Sequence, residues 1–259
     1  MAATMDFYTA LNAVKKVLTA DFACGKDDFD NDGVFIHPAK EMTGRRRFPF
    51  REKSLSIATM GRGVAVSCSV DKLGWCDANL SGLSRNEIFA PPAIKMMDEF
   101  VKKDGQYMAG PDLKYICTKN IFNPFNYNIK GVEITLANDT SGLKLDGDPR
   151  FLNSLGRGNN PLTPRVVAAV ARCKGQIAGI ASASADCDSM WRIGVDTAEE
   201  YRNRGIGKAM VSRVTEVILA AGKIPYYSAL ESDTASKALA ASLGYKTTWI
   251  EIYAREKTA

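Results

Sequence analysis

Hydrophobic and polar residues alternate in patterns that define the elements of the first half of the chain. Apolar residues recur at helical spacing near the start, which predicts a first helix carrying Phe7, Leu11, Val14 and Leu18. Residues 54–59 and 64–70 are predicted strands, and Gly61-Arg62-Gly63 between them suits a tight hairpin because glycine accepts a positive φ. Ser84 is expected to cap a short helix, and another helix is expected after Pro91-Pro92.

The second half has a denser pattern. Val132, Ile134 and Leu136 alternate with polar neighbours, as in a half-buried strand. The elements predicted after it are strands at 166–173, 177–185 and 190–197, a helix over 206–218, a strand at 224–230 and a helix over 234–243. Short polar turns separate the three consecutive strands, which therefore form an antiparallel meander.

The chain of 259 residues is long enough for one large domain or two modest ones. Residues 120–128 carry Pro124 and four asparagines without hydrophobic periodicity, which is typical of a link between domains. We therefore expect an N-terminal α+β domain of unknown role at 1–128 and a second domain at 129–259. The fold class expected is α+β, with a mixed C-terminal sheet flanked by helices.

The composition and net charge of the chain favour some classes of ligand and active site over others. The net charge of +5 is compatible with a phosphorylated small ligand but argues against a nucleic-acid groove. His37 is the only histidine, so zinc sites and Ser-His or Cys-His nucleophiles are disfavoured, and His37 itself is interpreted as a surface-loop residue. Six scattered cysteines and the absence of a membrane-length apolar run indicate buried thiols in a cytoplasmic protein, without disulfides, metal or membrane contact.

One segment has the features of an anion-binding turn. Arg202-Asn203-Arg204-Gly205-Ile206-Gly207 lies between a predicted strand and an amphipathic helix, where free backbone N–H groups and a helix N-terminus can receive a phosphate. The segment is neither a Walker A loop nor a dinucleotide fingerprint, because Arg202, Ala209 and Met210 occupy positions where those motifs need other residues.

The same segment matches R-x-x-G-x-G/A, the pyrophosphate loop of the GNAT superfamily of N-acetyltransferases. The surrounding chain resembles the second half of that fold, and the order of segments is similar to that of a bacterial two-domain GNAT-like family. The matching segments are GIASASAD (179–186), MWRIGVDT (190–197), YRNRGIG (201–207), KIPYY (223–227) and TASKALAASLGY (234–245). The resemblance covers roughly residues 166–250, and around Arg45 to Gly63 the N-terminal region is similar in a less specific way.

This resemblance implies acetyl-CoA as cofactor and acetyl transfer to an amine of a small molecule or peptide in a ternary complex. The residues implied to contact acetyl-CoA are Val195 and Thr197 beside the pantetheine, Arg204, Gly205 and Gly207 at the pyrophosphate, with Arg202, Ile206, Lys208, Asp233 and Ser236 around them. Arg45-Arg46-Arg47 is interpreted as a solvated loop, although it is also compatible with an acidic acceptor or the 3′-phosphate.

Three positions depart from the family pattern. Asp233 stands where the family usually has asparagine, Ala240 where many members have a proton-donating tyrosine, and Trp191 approximately where a glutamate is often found. Tyr226, Tyr227, Tyr245, Ser236 and water remain as alternatives for the missing acid.

For the base we predict Glu231 or Asp186, carboxylates at strand ends beside the expected cleft, acting directly or through water. Each also fits a turn or capping role. The departures leave open a catalytically silent acyl-CoA-binding or sensor protein of the same fold. The N-terminal domain is a candidate for homodimerisation or for presenting the enzyme to a protein partner.

Overall fold

The computed structural model describes residues 5–50, 53–125, 128–138, 145, 147–156 and 160–256. The helices in these ranges are α1 Phe7–Phe22, α2 Leu73–Leu80, α3 Arg85–Ile88, α4 Pro91–Val101, α5 Leu152–Leu155, α6 Ile206–Ala220 and α7 Thr234–Ser242. The strands are β1 Val34–Pro38, β2 Leu55–Thr59, β3 Val64–Cys68, β4 Gln106–Ile116, β5 Val132–Ala137, β6 Arg165–Cys173, β7 Gln176–Ala185, β8 Met190–Thr197, β9 Ile224–Leu230 and β10 Lys246–Glu256.

The predicted mixture of helices and strands is confirmed. β6, β7 and β8 form the expected antiparallel meander, and β2 and β3 form the expected hairpin with Gly61 at φ +112°. Gly63 serves a different purpose, because a Cβ there would lie 1.8 Å from the Asp28 carbonyl oxygen. Ser84 caps α3 with a reciprocal pair of hydrogen bonds to Glu87.

The sequence pattern did not predict β1, β4 or β10. β4 contains Gly110 and Pro111, which favour a break when only local preference is considered, yet the strand continues through both residues. His37 lies in β1 with its Nε2 atom 2.6 Å from an Asp28 carboxylate oxygen, so its interpretation as a loop residue is wrong.

The chain divides into two compact units. The C-terminal unit comprises Met1–Ala10, Tyr115–Ser228 and Thr234–Lys246, and the N-terminal unit comprises Leu11–Lys114, Ala229–Asp233 and Thr247–Ala259. Each unit is thus assembled from separated stretches of chain. The predicted boundary after residue 128 stays a prediction, and residues 126–127 of the candidate link lie outside the described residues.

The C-terminal unit has strands in the order β9-β8-β7-β6-β5, in which β8 and β9 are parallel and the pairs β7–β8, β6–β7 and β5–β6 are antiparallel. α6 packs on β6, β7 and β8. Because successive side chains of a strand point to opposite faces, β8 directs Val195 toward α6 and presents Gly194 to α5 on the other face. A core on the α5 side is formed by Phe151, Leu155, Ala168, Val170 and Ile180.

Gly194 is required by the close approach of α5 to β8. A Cβ at this position would lie 1.9 Å from the Asn153 carbonyl oxygen, which is backbone and cannot turn away. We expect Gly194→Ala to lower the free energy of unfolding by about 1–3 kcal/mol through overpacking. Gly74→Ala in α2 is the control, since its Cβ would have no neighbour within 4 Å. Equal urea midpoints for the two variants would contradict this packing.

The N-terminal unit has strands in the order β1-β3-β2-β10-β4, with β1 and β3 parallel. Apolar side chains of β2, β3, α2, α3 and α4 form its core, which includes Leu55, Ile57, Val66, Leu80, Ile88 and Met97.

A buried charged cluster lies in the same unit. The Arg46 guanidinium is 2.5 Å from Asp21 Oδ2 and 2.5 Å from Glu251 Oε1, and Trp249 donates a hydrogen bond to the same Glu251 oxygen. Arg46 is 5% exposed, so its interpretation as part of a solvated loop is wrong. Two carboxylates account for its burial, because a guanidinium leaves water only where such partners replace its hydration.

Within the described ranges, no helix is long and apolar enough to cross a bilayer. The same ranges contain no group of three or more histidine, cysteine, aspartate or glutamate side chains placed to hold a metal ion. The cysteines are free thiols, and all except the half-buried Cys24 are buried.

Candidate functional site

The turn between β8 and α6 presents unused backbone amides. Asn203 and Gly205 both have left-handed backbone, at φ +60° and +77°, and Gly205 immediately precedes α6. The Ala209 amide donates to the Gly205 carbonyl, which is the first hydrogen bond of the helix. The amides of Ile206 to Lys208 therefore have no acceptor within the helix. These donors and the positive end of the helix dipole suit an anion such as a phosphate.

Cations surround this turn without neutralising carboxylates. The Arg204 guanidinium carbon is 5.8 Å from the Tyr201 ring centroid, and the Lys208 ammonium is 4.7 Å from the Phe125 ring centroid. Neither cation makes an ion pair within the part of the chain that the structure describes. Arg202 instead donates from Nε to the Thr197 carbonyl at 3.2 Å, which ties the turn to the end of β8.

Gly207 allows α6 to begin against β8. A Cβ on Gly207 would lie 3.1 Å from Thr197 Oγ1, 3.6 Å from Leu239 Cδ1 and 3.9 Å from Val195 Cγ2. The structure therefore brings together three residues that the sequence predicts for the cofactor: Val195, Thr197 and Gly207. Ile206 is buried, so only its backbone is available to a ligand.

β8 also has an edge suited to an extended ligand. Its parallel register with β9 covers Met190–Ile193 against Ile224–Tyr227, while β8 continues to Thr197. In the described residues, the last four positions of β8 are in register with β7 alone. Backbone groups that a neighbouring strand would otherwise satisfy are available there for hydrogen bonds to a ligand.

A polar cluster occupies the opposite face from α6. The Asp186 side chain is completely buried, with Oδ1 accepting a hydrogen bond from Ser184 Oγ at 2.8 Å. Its Oδ2 accepts from the Tyr226 hydroxyl and lies 3.3 Å from Arg192 Nε. Arg192 and Tyr226 are register partners on β8 and β9, so the strand pairing itself places both beside Asp186.

Asp196 extends this polar face toward α5. Its carboxylate accepts hydrogen bonds of 2.7–2.8 Å from Asn153 Nδ2, from the Ser154 amide and from Ser154 Oγ. Neither Asp196 nor Arg192 is among the site residues predicted from the sequence. The signal was present in the predicted meander, where Arg192, Gly194 and Asp196 alternate with apolar residues, and Arg192 and Gly194 pair with serines of β7.

The remaining predicted site residues are distributed over both units. Ser236 is half-buried in α7 of the C-terminal unit. Glu231 and Asp233 belong to the turn after β9 that is assigned to the N-terminal unit, and both are exposed. The Glu231 amide donates to the Pro111 carbonyl, and the Asp233 amide donates to the Leu230 carbonyl.

The tyrosines proposed as replacements for the missing acid differ in their surroundings. The Tyr245 hydroxyl lies 2.6 Å from Thr215 Oγ1, and burial raises the pKa of Tyr245 well above its usual value. A higher pKa makes Tyr245 a weaker proton donor. Tyr227 packs edge-on against Tyr245, whereas Tyr226 is hydrogen-bonded to the Asp186 carboxylate. Ala240 is buried in α7.

Comparison with protein families gives a match over residues 167–250 to the model described as GNAT acetyltransferase. A comparison with curated proteins gives no significant match. Among solved structures, a GCN5-related N-acetyltransferase from Sphaerobacter thermophilus is 13% identical, with 98% of this chain and 94% of that chain covered and a TM-score of 0.48.

Two further structures are similar over a smaller share. A GCN5-related N-acetyltransferase-like protein from Streptococcus suis is 22% identical over 63% of this chain and 68% of that chain, with a TM-score of 0.46. A putative GNAT-family acetyltransferase from Novosphingobium aromaticivorans is 19% identical over 60% of this chain and 69% of that chain, with a TM-score of 0.42. The similarity to the GNAT acetyltransferase family model covers residues 167–250 of the chain.

Proposed function

We propose, from the match of residues 167–250 to the GNAT acetyltransferase family model, that this chain transfers an acetyl group from acetyl-CoA to an amine of a small molecule or peptide. The observation that carries the proposal is the turn from Arg202 to Lys208, where free amides and unneutralised cations meet at a helix N-terminus. Such a donor set fits a pyrophosphate, because each oxygen can accept a charge-assisted hydrogen bond.

The residues proposed to hold acetyl-CoA follow from this geometry. The amides of Arg204, Gly205 and Gly207, with the charges of Arg202 and Lys208, would bind the pyrophosphate. The backbone of Val195 and Thr197 on the open edge of β8 would bind the pantetheine arm, with Ile206, Ser236 and Asp233 as further proposed neighbours. Bound there, acetyl-CoA supplies an acetyl thioester whose thiolate leaves readily.

The chain must also accept a proton from the attacking amine. An alkyl ammonium has a pKa of about 10, so most of the amine is protonated at neutral pH. We keep Asp186 and Glu231 as the proposed bases. Asp186 and Tyr226 are 0% and 1% exposed, so we propose that the amine proton reaches the hydrogen-bonded Asp186–Tyr226 pair through a relay of water molecules.

Turnover and binding test the proposed function separately. Calorimetry of the purified chain with CoA is expected to give one-to-one binding, and incubation with acetyl-CoA and a broad amine panel is expected to release free thiol. Absence of CoA binding would contradict the assignment of the turn. CoA binding with no accepted amine would favour a silent acyl-CoA-binding protein.

The pH dependence of kcat/KM tests the base. Asp186→Asn is expected to lower kcat/KM by about 100-fold at low pH, where free amine is scarce, and far less at high pH, where the substrate deprotonates itself. Tyr226→Phe should give the same dependence if the relay operates. Glu231→Gln tests the second proposed base, an exposed carboxylate, in the same way.

The profiles discriminate among the candidates. If the pH profile of kcat/KM for Asp186→Asn parallels that of the parent while the profile for Glu231→Gln does not, the base is Glu231. Parallel profiles for all three variants would remove both carboxylates from proton transfer. Thermal unfolding of each variant separates a lost proton relay from a lost fold.

A further inference from the structure

The segment from Cys117 to Phe125 is held on the helices that flank the phosphate-binding turn. The Asn123 amide donates to the Leu243 carbonyl at 2.9 Å, and Asn123 Nδ2 donates to the Ser242 carbonyl at 3.2 Å. Two residues later, the Phe125 amide donates to Ser212 Oγ in α6 at 2.9 Å. These bonds fix Phe125 from both sides, at the end of α7 and on the second turn of α6.

This anchoring places an aromatic ring at the turn. The Phe125 ring lies 3.5 Å from the position that a Cβ on Gly205 would take, and the Ile129 side chain lies 4.0 Å from the same point. The Lys208 ammonium lies over the Phe125 ring. Because Phe125 is only half-buried, part of this apolar side chain remains accessible beside the most cationic part of the site.

We propose that Phe125 is the stacking platform for the adenine of acetyl-CoA, and this inference rests on the function proposed above. A pyrophosphate bound by the amides around Gly205 would lie beside this ring, and the attached adenosine would then be within its reach. Aromatic side chains bind bases by stacking, and a neighbouring cation favours the phosphates of the same nucleotide. Lys208 thus attracts the phosphates of the nucleotide, while Phe125 stacks on its adenine.

The consequence concerns the class of acyl donor. A carrier protein presents its acyl group on 4′-phosphopantetheine, which has the pantetheine arm and one phosphate but no adenine. An adenine platform favours a free CoA thioester over such a donor. Phe125 is therefore assigned as a specificity-determining residue that lies outside the segment matched by the family model.

The test compares CoA with 4′-phosphopantetheine by calorimetry, using the parent chain, Phe125→Ala and Phe125→Trp. Phe122→Ala is the matched control, since Phe122 is a half-buried phenylalanine of the same segment. Phe125→Ala is expected to weaken CoA binding about tenfold and to leave the affinity for 4′-phosphopantetheine unchanged. Phe125→Trp should retain the affinity for CoA, because indole also stacks on adenine.

Other outcomes overturn the inference in distinguishable ways. Unchanged CoA affinity in Phe125→Ala would show that the ring does not contact the nucleotide. An equal loss for both ligands would mean that Phe125 only packs the turn, and a loss equal to that of Phe122→Ala would indicate the same. A parent chain that binds neither ligand would overturn the proposed function together with the platform.

Discussion

Replacing Gly207 by glutamate is expected to lower the affinity for CoA by about 100-fold. A Cβ at this position would lie 3.1 Å from Thr197 Oγ1, so Thr197 or the first turn of α6 has to shift by a few tenths of an ångström. The shift misplaces first-turn amides, each of whose hydrogen bonds to a charged ligand is worth about 1.5–3 kcal/mol. The added carboxylate also repels the phosphates of the ligand.

Calorimetry with CoA measures this effect, with Gly74→Glu as control because a side chain at Gly74 has no neighbour within 4 Å of its Cβ. Lys208→Gln isolates the contribution of one charge and is expected to cost less than Gly207→Glu. A folded Gly207→Glu variant that binds CoA as tightly as the parent would move the phosphate site away from the turn.

Replacing Arg46 by methionine is expected to lower the free energy of unfolding by about 3–5 kcal/mol. The substitution keeps an apolar stem but leaves the buried carboxylates of Asp21 and Glu251 without their shared cation, and an unpaired buried charge is strongly destabilising. Urea unfolding at neutral pH measures the change. Arg47→Met is the control, since Arg47 is exposed, and similar urea midpoints for the two variants would contradict the cluster.

The same cluster predicts a pH dependence of stability. Burial alone would raise the pKa of Glu251, but attraction from Arg46 and Lys114, with hydrogen bonds from Trp249 and Arg46, lowers it from 4.5 to about 2. A carboxyl with a lower pKa in the folded state stabilises the fold above the unfolded value. This contribution, about 3 kcal/mol, is lost as the pH falls from about 4.5 to 2.

Asp21 changes the stability of the fold with pH in the direction opposite to Glu251. Burial raises its pKa despite the adjacent Arg46, so the folded state gains stability from protonation of Asp21 as the pH falls. Comparison with Glu251→Gln isolates the Glu251 contribution, and this variant should lose less stability between pH 4.5 and 2 than the parent. Identical slopes in that range would exclude Glu251 from the acid transition.

Local sequence determined the elements around the site. The meander β6–β8, the amphipathic helix α6 and the glycine-containing turn between them each follow from periodicity and turn residues over short stretches. The free amides before α6 follow as well, because every helix leaves its first N–H groups unpaired. The resemblance to the GNAT superfamily over roughly residues 166–250 rests on the same short stretches of sequence.

Tertiary structure decided what lies beside those elements. Arg46 stands in a polar run that is typical of a solvated loop, yet Asp21 and Glu251, far away in sequence, convert it into a buried ion-pair centre. From the sequence, Asp186 fits the role of a turn residue, whereas in the structure strand pairing places Tyr226 and Arg192 beside it. Phe125 lies in a segment without periodicity, and the hydrogen bonds of Asn123 to the end of α7 and of Phe125 to α6 place it at the turn.

The physical reason is the range of the forces involved. Helix spacing, glycine backbone freedom and capping act within a few residues, so one sequence suffices to predict them. Buried charges and ligand-facing side chains depend on partners that the fold brings from distant positions, as do strands such as β4 that continue through Gly110 and Pro111. The sequence alone therefore determined the glycine-containing turn before α6, and the tertiary structure decided which side chains surround it.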